Sequence, residues 1–125
     1  MRIFKTRWFH KWAISMELDD KALLRAVEEI VNGLIDANLG GHIFKKRLGL
    51  HGQGKRGGAR TLVTFKTTDR IFFIYGFPKN QRDDIKADEL KALKLYAREL
   101  LGYGDRALSK AIEVKILFEV INDGS

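Results

Sequence analysis

The chain contains no cysteine. That removes disulfide staples, thiolate zinc sites and cysteine nucleophiles together, and it suits a reducing compartment. Proline is limited to Pro78, and there is no linker, internal repeat or low-complexity tract. No apolar run approaches the ~18 residues a membrane span needs. The opening Met1-Arg2-Ile3-Phe4-Lys5-Thr6-Arg7 lacks the apolar stretch and small-residue cleavage site of a secretory signal. These absences predict a cytoplasmic protein. What remains is 125 residues, a length that fits one domain over residues 1–125 and buries roughly two-thirds of its unfolded surface.

Acidic residues are scarce in one place only. Residues 40–82 hold ten bases, Lys45, Lys46, Arg47, Lys55, Arg56, Arg60, Lys66, Arg70, Lys79 and Arg82, against the single acid Asp69, a net of +9. The other 82 residues carry thirteen bases and fifteen acids, a net of −2. The whole excess of the +7 chain therefore sits in one third of it. A solvated basic face would account for a diffuse excess. A block this one-sided is the footprint of a phosphate-binding surface.

Hydrophobic spacing predicts the elements. Residues 2–7 open as a strand, and Trp8, Phe9, Trp12, Ala13 and Ile14 follow at near-helical spacing. Asp19 or Asp20 caps a longer helix whose stripe runs through Leu23, Ala26, Val27, Ile30, Val31, Leu34 and Ile35, with Gly40-Gly41 ending it. Strands are expected over 43–50, 59–66 and 70–77, the last apolar on both faces and so near the sheet centre. Arg60 then projects from the more polar face of its strand. A helix starts at Asp88 and stops at Gly102 and Gly104, a short helix covers 105–114, and a terminal strand covers 116–121. The expected class is α+β.

The loop Gly49-Leu50-His51-Gly52-Gln53-Gly54-Lys55-Arg56 nearly spells a nucleotide-binding phosphate loop. Arg56 stands where magnesium needs a hydroxyl, and a β-like run replaces the helix that should face the phosphates. Nucleotide hydrolysis is set aside. Glycines 52, 54, 57 and 58 let the backbone approach a phosphate chain closely, with Lys55 and Arg56 adding charge.

Three ordered segments carry a family resemblance: Lys45-Lys46-Arg47, then Lys55-x-Gly57-Gly58-x-Arg60, then Gly76-Phe77-x-Lys79-Asn80-x-Arg82. The chain resembles the HigB branch of the RelE/ParE toxins. The resemblance implies a RelE-like fold: an N-terminal strand and a helical hairpin on a small, mainly antiparallel twisted sheet, with C-terminal helices and a candidate extra strand. It also implies the toxin of a type II toxin–antitoxin pair, which enters the ribosomal A site and cuts mRNA there. A partner antitoxin, commonly of helix-turn-helix type, would neutralise it. No cofactor or metal is implied.

The chemistry can be matched to side chains. Metal-free RNA cleavage uses the ribose 2′-OH as nucleophile on the adjacent phosphate, so it needs a base, an acid and cations for the growing charge. Arg60 and Arg82 suit the phosphate because their planar forks match its oxygens and stay charged. Lys55 and Lys79 are the accompanying catalytic candidates, a clustered lysine such as Lys46, Lys55 or Lys79 being able to move a proton. Lys45, Lys46, Arg47 and Arg56 are candidates for RNA binding. His51, beside the basic loop, is a further candidate base, whereas His10 and His42 read as structural. Asp83-Asp84 and Asp88-Glu89 read as charges ahead of a helix. Trp8 and Trp12 read as core or antitoxin contacts. The sequence departs from the family at Ala59, where many relatives have Tyr, at Pro78, and at Asp84. It also has no Tyr in 83–95 to act as a catalytic phenol, and Tyr96 falls on a predicted helix. Two other functions compete: a ParE-like inhibitor of DNA gyrase, and a non-catalytic nucleic-acid-binding regulator.

Overall fold

The computed structural model describes residues 1–49, 58–79 and 84–121. Strand β1 (Arg2–Thr6) passes directly into helix α1 (Arg7–Ser15). Thr6 makes the transition: its hydroxyl accepts the Phe9 N–H at 3.2 Å, capping the helix, and donates to the Ile74 carbonyl at 3.3 Å. Helix α2 (Asp20–Val31) starts on Asp19, whose carboxylate accepts the Ala22 N–H at 2.9 Å.

Helix α2 ends earlier than its apolar stripe predicts. Asn32 is the cap residue, and Gly33 follows at φ +85°. The Leu34 N–H reaches back to the Glu29 carbonyl at 2.9 Å, and the Gly33 N–H to Ile30 at 2.9 Å, the paired bonds of a Schellman motif. Leu34 is thereby left outside the helix and 58% exposed. The chain then forms a short strand that the spacing did not indicate, β2 (Ala37–Gly40). Gly40-Gly41 closes this strand's hairpin instead of ending a helix, with positive φ at Gly40, Gly41 and His42.

The remaining elements are β3 (Ile43–Leu48), β4 (Ala59–Thr64), β5 (Arg70–Pro78), α3 (Ala87–Leu101), α4 (Asp105–Glu113) and β6 (Leu117–Val120). The strands make one six-stranded sheet in the order β2-β3-β4-β5-β1-β6. All neighbours are antiparallel except β1 and β5, which run parallel. The architecture is α+β, as the periodicity implied. No helix among the described residues is long and apolar enough to cross a membrane.

Both faces of the sheet are covered. On one, α1 and α2 bury Phe9, Leu23, Val27 and Ile30 against Ile3, Val63, Ile71 and Phe73. On the other, α3 and α4 bury Ala97, Leu100 and Leu108 against Phe4, Leu62, Phe72 and Ile74. This double cover explains why β5 is apolar on alternate and intervening positions alike.

Candidate nucleic-acid interface

Strand parity assigns the basic residues to faces. In the β3–β4 ladder Lys45 pairs with Leu62, Lys46 with Thr61 and Arg47 with Arg60. Side chains directly opposite share a face, as do those two apart on one strand. Lys45, Arg47 and Arg60 therefore lie with Leu62, on the face that α3 and α4 cover further along.

The structure does not bring Lys46 to this face. It turns toward α2, where its ammonium donates to the Leu34 carbonyl at 2.9 Å and meets Glu29 at 2.6 Å, with its side chain 4% exposed. This lysine ties β3 to α2 and to the segment that follows it. We expect Lys46→Ala to destabilise the protein by about 1–3 kcal/mol through removal of a buried charge-assisted bond, read from urea denaturation. RNA affinity should follow wild type.

Two of the cations on the Arg60 face already have partners. Lys45 meets Asp84 at 3.5 Å. The Arg47 guanidinium donates to Asp36 at 2.9 Å, and the Arg47 backbone N–H donates to the same carboxylate at 2.7 Å. Burial alone would raise the Asp36 pKa, but the Arg47 bonds and charge overcome it, and the carboxyl is held below its ordinary value. The pair's stabilisation is accordingly complete above the ordinary carboxylate range and is lost as pH falls through the lowered pKa. Melting temperature followed down the acid limb should show that loss in wild type and a smaller one in Asp36→Asn.

Arg60 is the exception. It is 8% exposed, and its Nη1 has no acceptor among the described residues. A buried guanidinium with an empty donor is unfavourable by itself and calls for an explanation. An anion supplied from outside would satisfy it.

An irregularity in β5 places a second polar group beside Arg60. Leu62 pairs with Tyr75 but Val63 pairs with Phe73, so Ile74 is an extra residue, a β-bulge. Ile74 and Tyr75 consequently both pack toward the α3–α4 core, and Tyr75 joins the face of Leu62 and Arg60. Its hydroxyl lies 3.1 Å from Glu89 Oε2. Glu89 Oε1 accepts the Lys86 N–H at 3.1 Å, fixing the carboxylate in the first turn of α3. Arg60 pairs with Phe77 and Leu62 with Tyr75, so Tyr75 stands diagonal to Arg60 across the ladder, on the same face.

Two motif glycines hold this corner together. A Cβ at Gly58 would fall 2.0 Å from the Leu48 carbonyl oxygen, and the Gly58 carbonyl accepts the Lys79 N–H at 3.2 Å. A Cβ at Gly76 would fall 2.4 Å from the Trp12 ring. Trp12 thus packs on the opposite side of β5, while Trp8, 47% exposed, stacks on Tyr75 at 4.4 Å. Lys79 follows β5 in a turn beside Gly58. Lys55, Arg56, Arg82, His51 and Asp83 lie outside the described residues. Among the described residues no group of three or more His, Cys, Asp or Glu side chains has metal-binding proximity.

A family model described as the RelE toxin of the RelE / RelB toxin–antitoxin system matches residues 1–120. The chain belongs to the RelE toxin family. Among curated proteins nothing matches it. As a RelE-family toxin it acts within a toxin–antitoxin system and pairs with an antitoxin.

Sequence reasoning singled out Arg60 in this RelE-family chain, gave Tyr75 no role, and read Glu89 as a charge at a helix start, where the first turn of α3 does hold it. Unbroken alternation along 70–77 would put Tyr75 with Phe73, toward α1 and α2. Only the bulge at Ile74 reverses that. Tyr96, the phenol considered from sequence, lies half-buried on α3, and burial, ahead of its neighbours' charges, raises its pKa.

Proposed function

We propose that this toxin is a metal-independent endoribonuclease that cuts mRNA in the ribosomal A site, by attack of a ribose 2′-OH on the adjacent phosphate. The observation that carries the reading is Arg60, a buried guanidinium with a donor unfilled among the described residues, on the sheet face that also presents Lys45 and Arg47. A phosphate seated there would accept from Arg60. As negative charge grows on its oxygens in the transition state, the bond strengthens, which is the condition for acceleration rather than mere binding. The family resemblance adds Arg82, Lys55 and Lys79 to the catalytic set and Arg56 to RNA binding; of these, Lys79 lies in the turn after β5. The three segments that resemble the HigB branch support assigning the toxin to it, and a helix-turn-helix antitoxin would be its partner. Action on ribosomes and mRNA implies the cytoplasm.

Tyr75 is the best-placed proton carrier among the described residues. Its phenol donates its single proton to Glu89 in the free protein; with RNA bound, that bond is given up and the same proton passes to the departing 5′ oxygen. Tyr75→Phe is expected to slow cleavage about a hundredfold, measured by single-turnover assay on programmed ribosomes. A rate within about twofold of wild type, far short of a general acid's usual contribution, would remove Tyr75 from the mechanism.

The deciding experiment for the function is primer extension on an mRNA in a purified translation system with the toxin added. Codon-phased cuts dependent on the ribosome are expected. Intact mRNA beside active ribosomes would sink the proposal, and a DNA-damage response with translation intact would put gyrase in its place.

A further inference from the structure

A second cationic pocket lies away from Arg60. It has a volume near 430 Å³ and is lined by Gly41, His42, Lys66, Lys94, Leu95, Arg98 and Leu101, with no acidic residue among them. Several cations elsewhere are matched by acids: Arg2 meets Glu119, Lys5 meets Asp20, Lys46 meets Glu29 and Arg70 meets Asp105. Lys66, Lys94 and Arg98 form no ion pair among the described residues, although all three border one space. Like charges gathered this way repel unless an anion sits between them.

The pocket is also built, not merely charged. The β2–β3 turn rests on the stem of Lys94, so closely that a Cβ at Gly41 would fall 2.9 Å from Lys94 Cγ. With Gly40 and Gly41 at φ +83° and +60°, the turn adopts a backbone that L side chains resist, and it fixes the lysine in place. Lys91, Lys94 and Arg98 recur at helical spacing on α3, so a basic stripe about 10 Å long approaches the pocket. The pocket lies at the far end of the β3–β4 ladder from Arg60: the paired positions run from Arg47 and Arg60 to Ile43 and Thr64, about 14 Å at ~3.4 Å per residue. Lys66, two residues past the end of β4, lines the pocket together with Lys94 and Arg98 of α3, the helix that packs on the sheet face of Leu62.

We propose that this pocket holds phosphates of an RNA backbone whose reacting phosphate sits at Arg60. The proposal rests on the RNA-cleaving function above, but adds a separate anchoring point. The partner is recognised by charge and spacing alone, so binding here is indifferent to base sequence.

The test is fluorescence anisotropy of a labelled single-stranded RNA oligonucleotide, titrated with salt, using the full chain. Lys94→Ala/Arg98→Ala is expected to bind about tenfold more weakly at low salt, with a log–log slope shallower by ~0.7 for each phosphate no longer neutralised. Lys66→Ala, at an exposed position, provides a second variant should the double variant fail to fold, and is expected to flatten the slope by the amount for a single phosphate. Wild-type affinity and slope in the folded variants would overturn the proposal. Loss of binding to polyglutamate with RNA binding intact would also overturn it, by assigning the pocket to an acidic protein. Cleavage by wild type in the translation system is scored separately. Cutting with unchanged variant affinity rejects this pocket alone, whereas reduced variant affinity without any cutting rejects the nuclease and leaves the pocket.

Discussion

Arg60→Met should make the toxin more stable and inactive. The substitution replaces a guanidinium that is 8% exposed, with Nη1 unfilled among the described residues, by an apolar chain of similar reach. Removing an unsatisfied buried donor is expected to stabilise by about 1–3 kcal/mol, visible as a rise of several degrees in Tm. Under the proposed role, in which Arg60 meets the phosphate in the transition state, cleavage is expected to slow about 10²–10³-fold. The two signs together separate this assignment from a structural one. If Arg60 were a scaffold residue, Arg60→Met would lower Tm and activity in parallel. A melt and a single-turnover assay on the same preparation decide it.

Gly58→Ala should have the larger effect on the fold. Its Cβ would meet a backbone carbonyl, that of Leu48, and backbone at the end of a paired ladder has little room to yield. Strand β4 would have to move away from β3 or give up the Gly58–Lys79 bond, shifting Arg60 two residues further on. A destabilisation of about 3 kcal/mol is expected, with cleavage falling beyond what the unfolded fraction explains. Denaturant titration beside a cleavage assay under native conditions measures both. Equal stability of Gly58→Ala and wild type would mean that this corner is not packed as described.

Much of the architecture was legible because burial imposes periodicity. The stripe Leu23, Ala26, Val27 and Ile30 marks α2, and the two-sided apolar run of β5 marks a strand between helical layers. The end of α2 was misread: Leu34 and Ile35 continue the apolar spacing past Asn32-Gly33 and carry the expected helix on toward Gly40-Gly41. Local capping wins there because Gly33 takes a positive φ without steric strain and satisfies the last carbonyls. Strand β2 is short and alternates between partial burial and exposure, so it carries almost no hydrophobic signal.

The candidate site was legible in charge and obscure in direction. Parity by itself separates Lys46 from Lys45 and Arg47, and treating the run as one patch ignores it. Tyr75 could not be placed from sequence, because a bulge depends on how two strands register and leaves no mark in either one. The ion pairs of Lys45 and Arg47 join residues distant along the chain. Composition counts such charges as free until the fold neutralises them.

The parallel pairing of β1 with β5 has a consequence for synthesis. The first strand made has one edge filled by a segment about seventy residues later, as the Thr6–Ile74 bond shows with its separation of 68. A nascent chain cannot close that pairing until β5 has left the ribosome, and distant pairings of this kind fold slowly. Until then Arg60 has no Phe77 beside it and no Tyr75 at its flank. The Arg60 face is thus completed late, an order of assembly set by topology and not by the position of Arg60 in the chain.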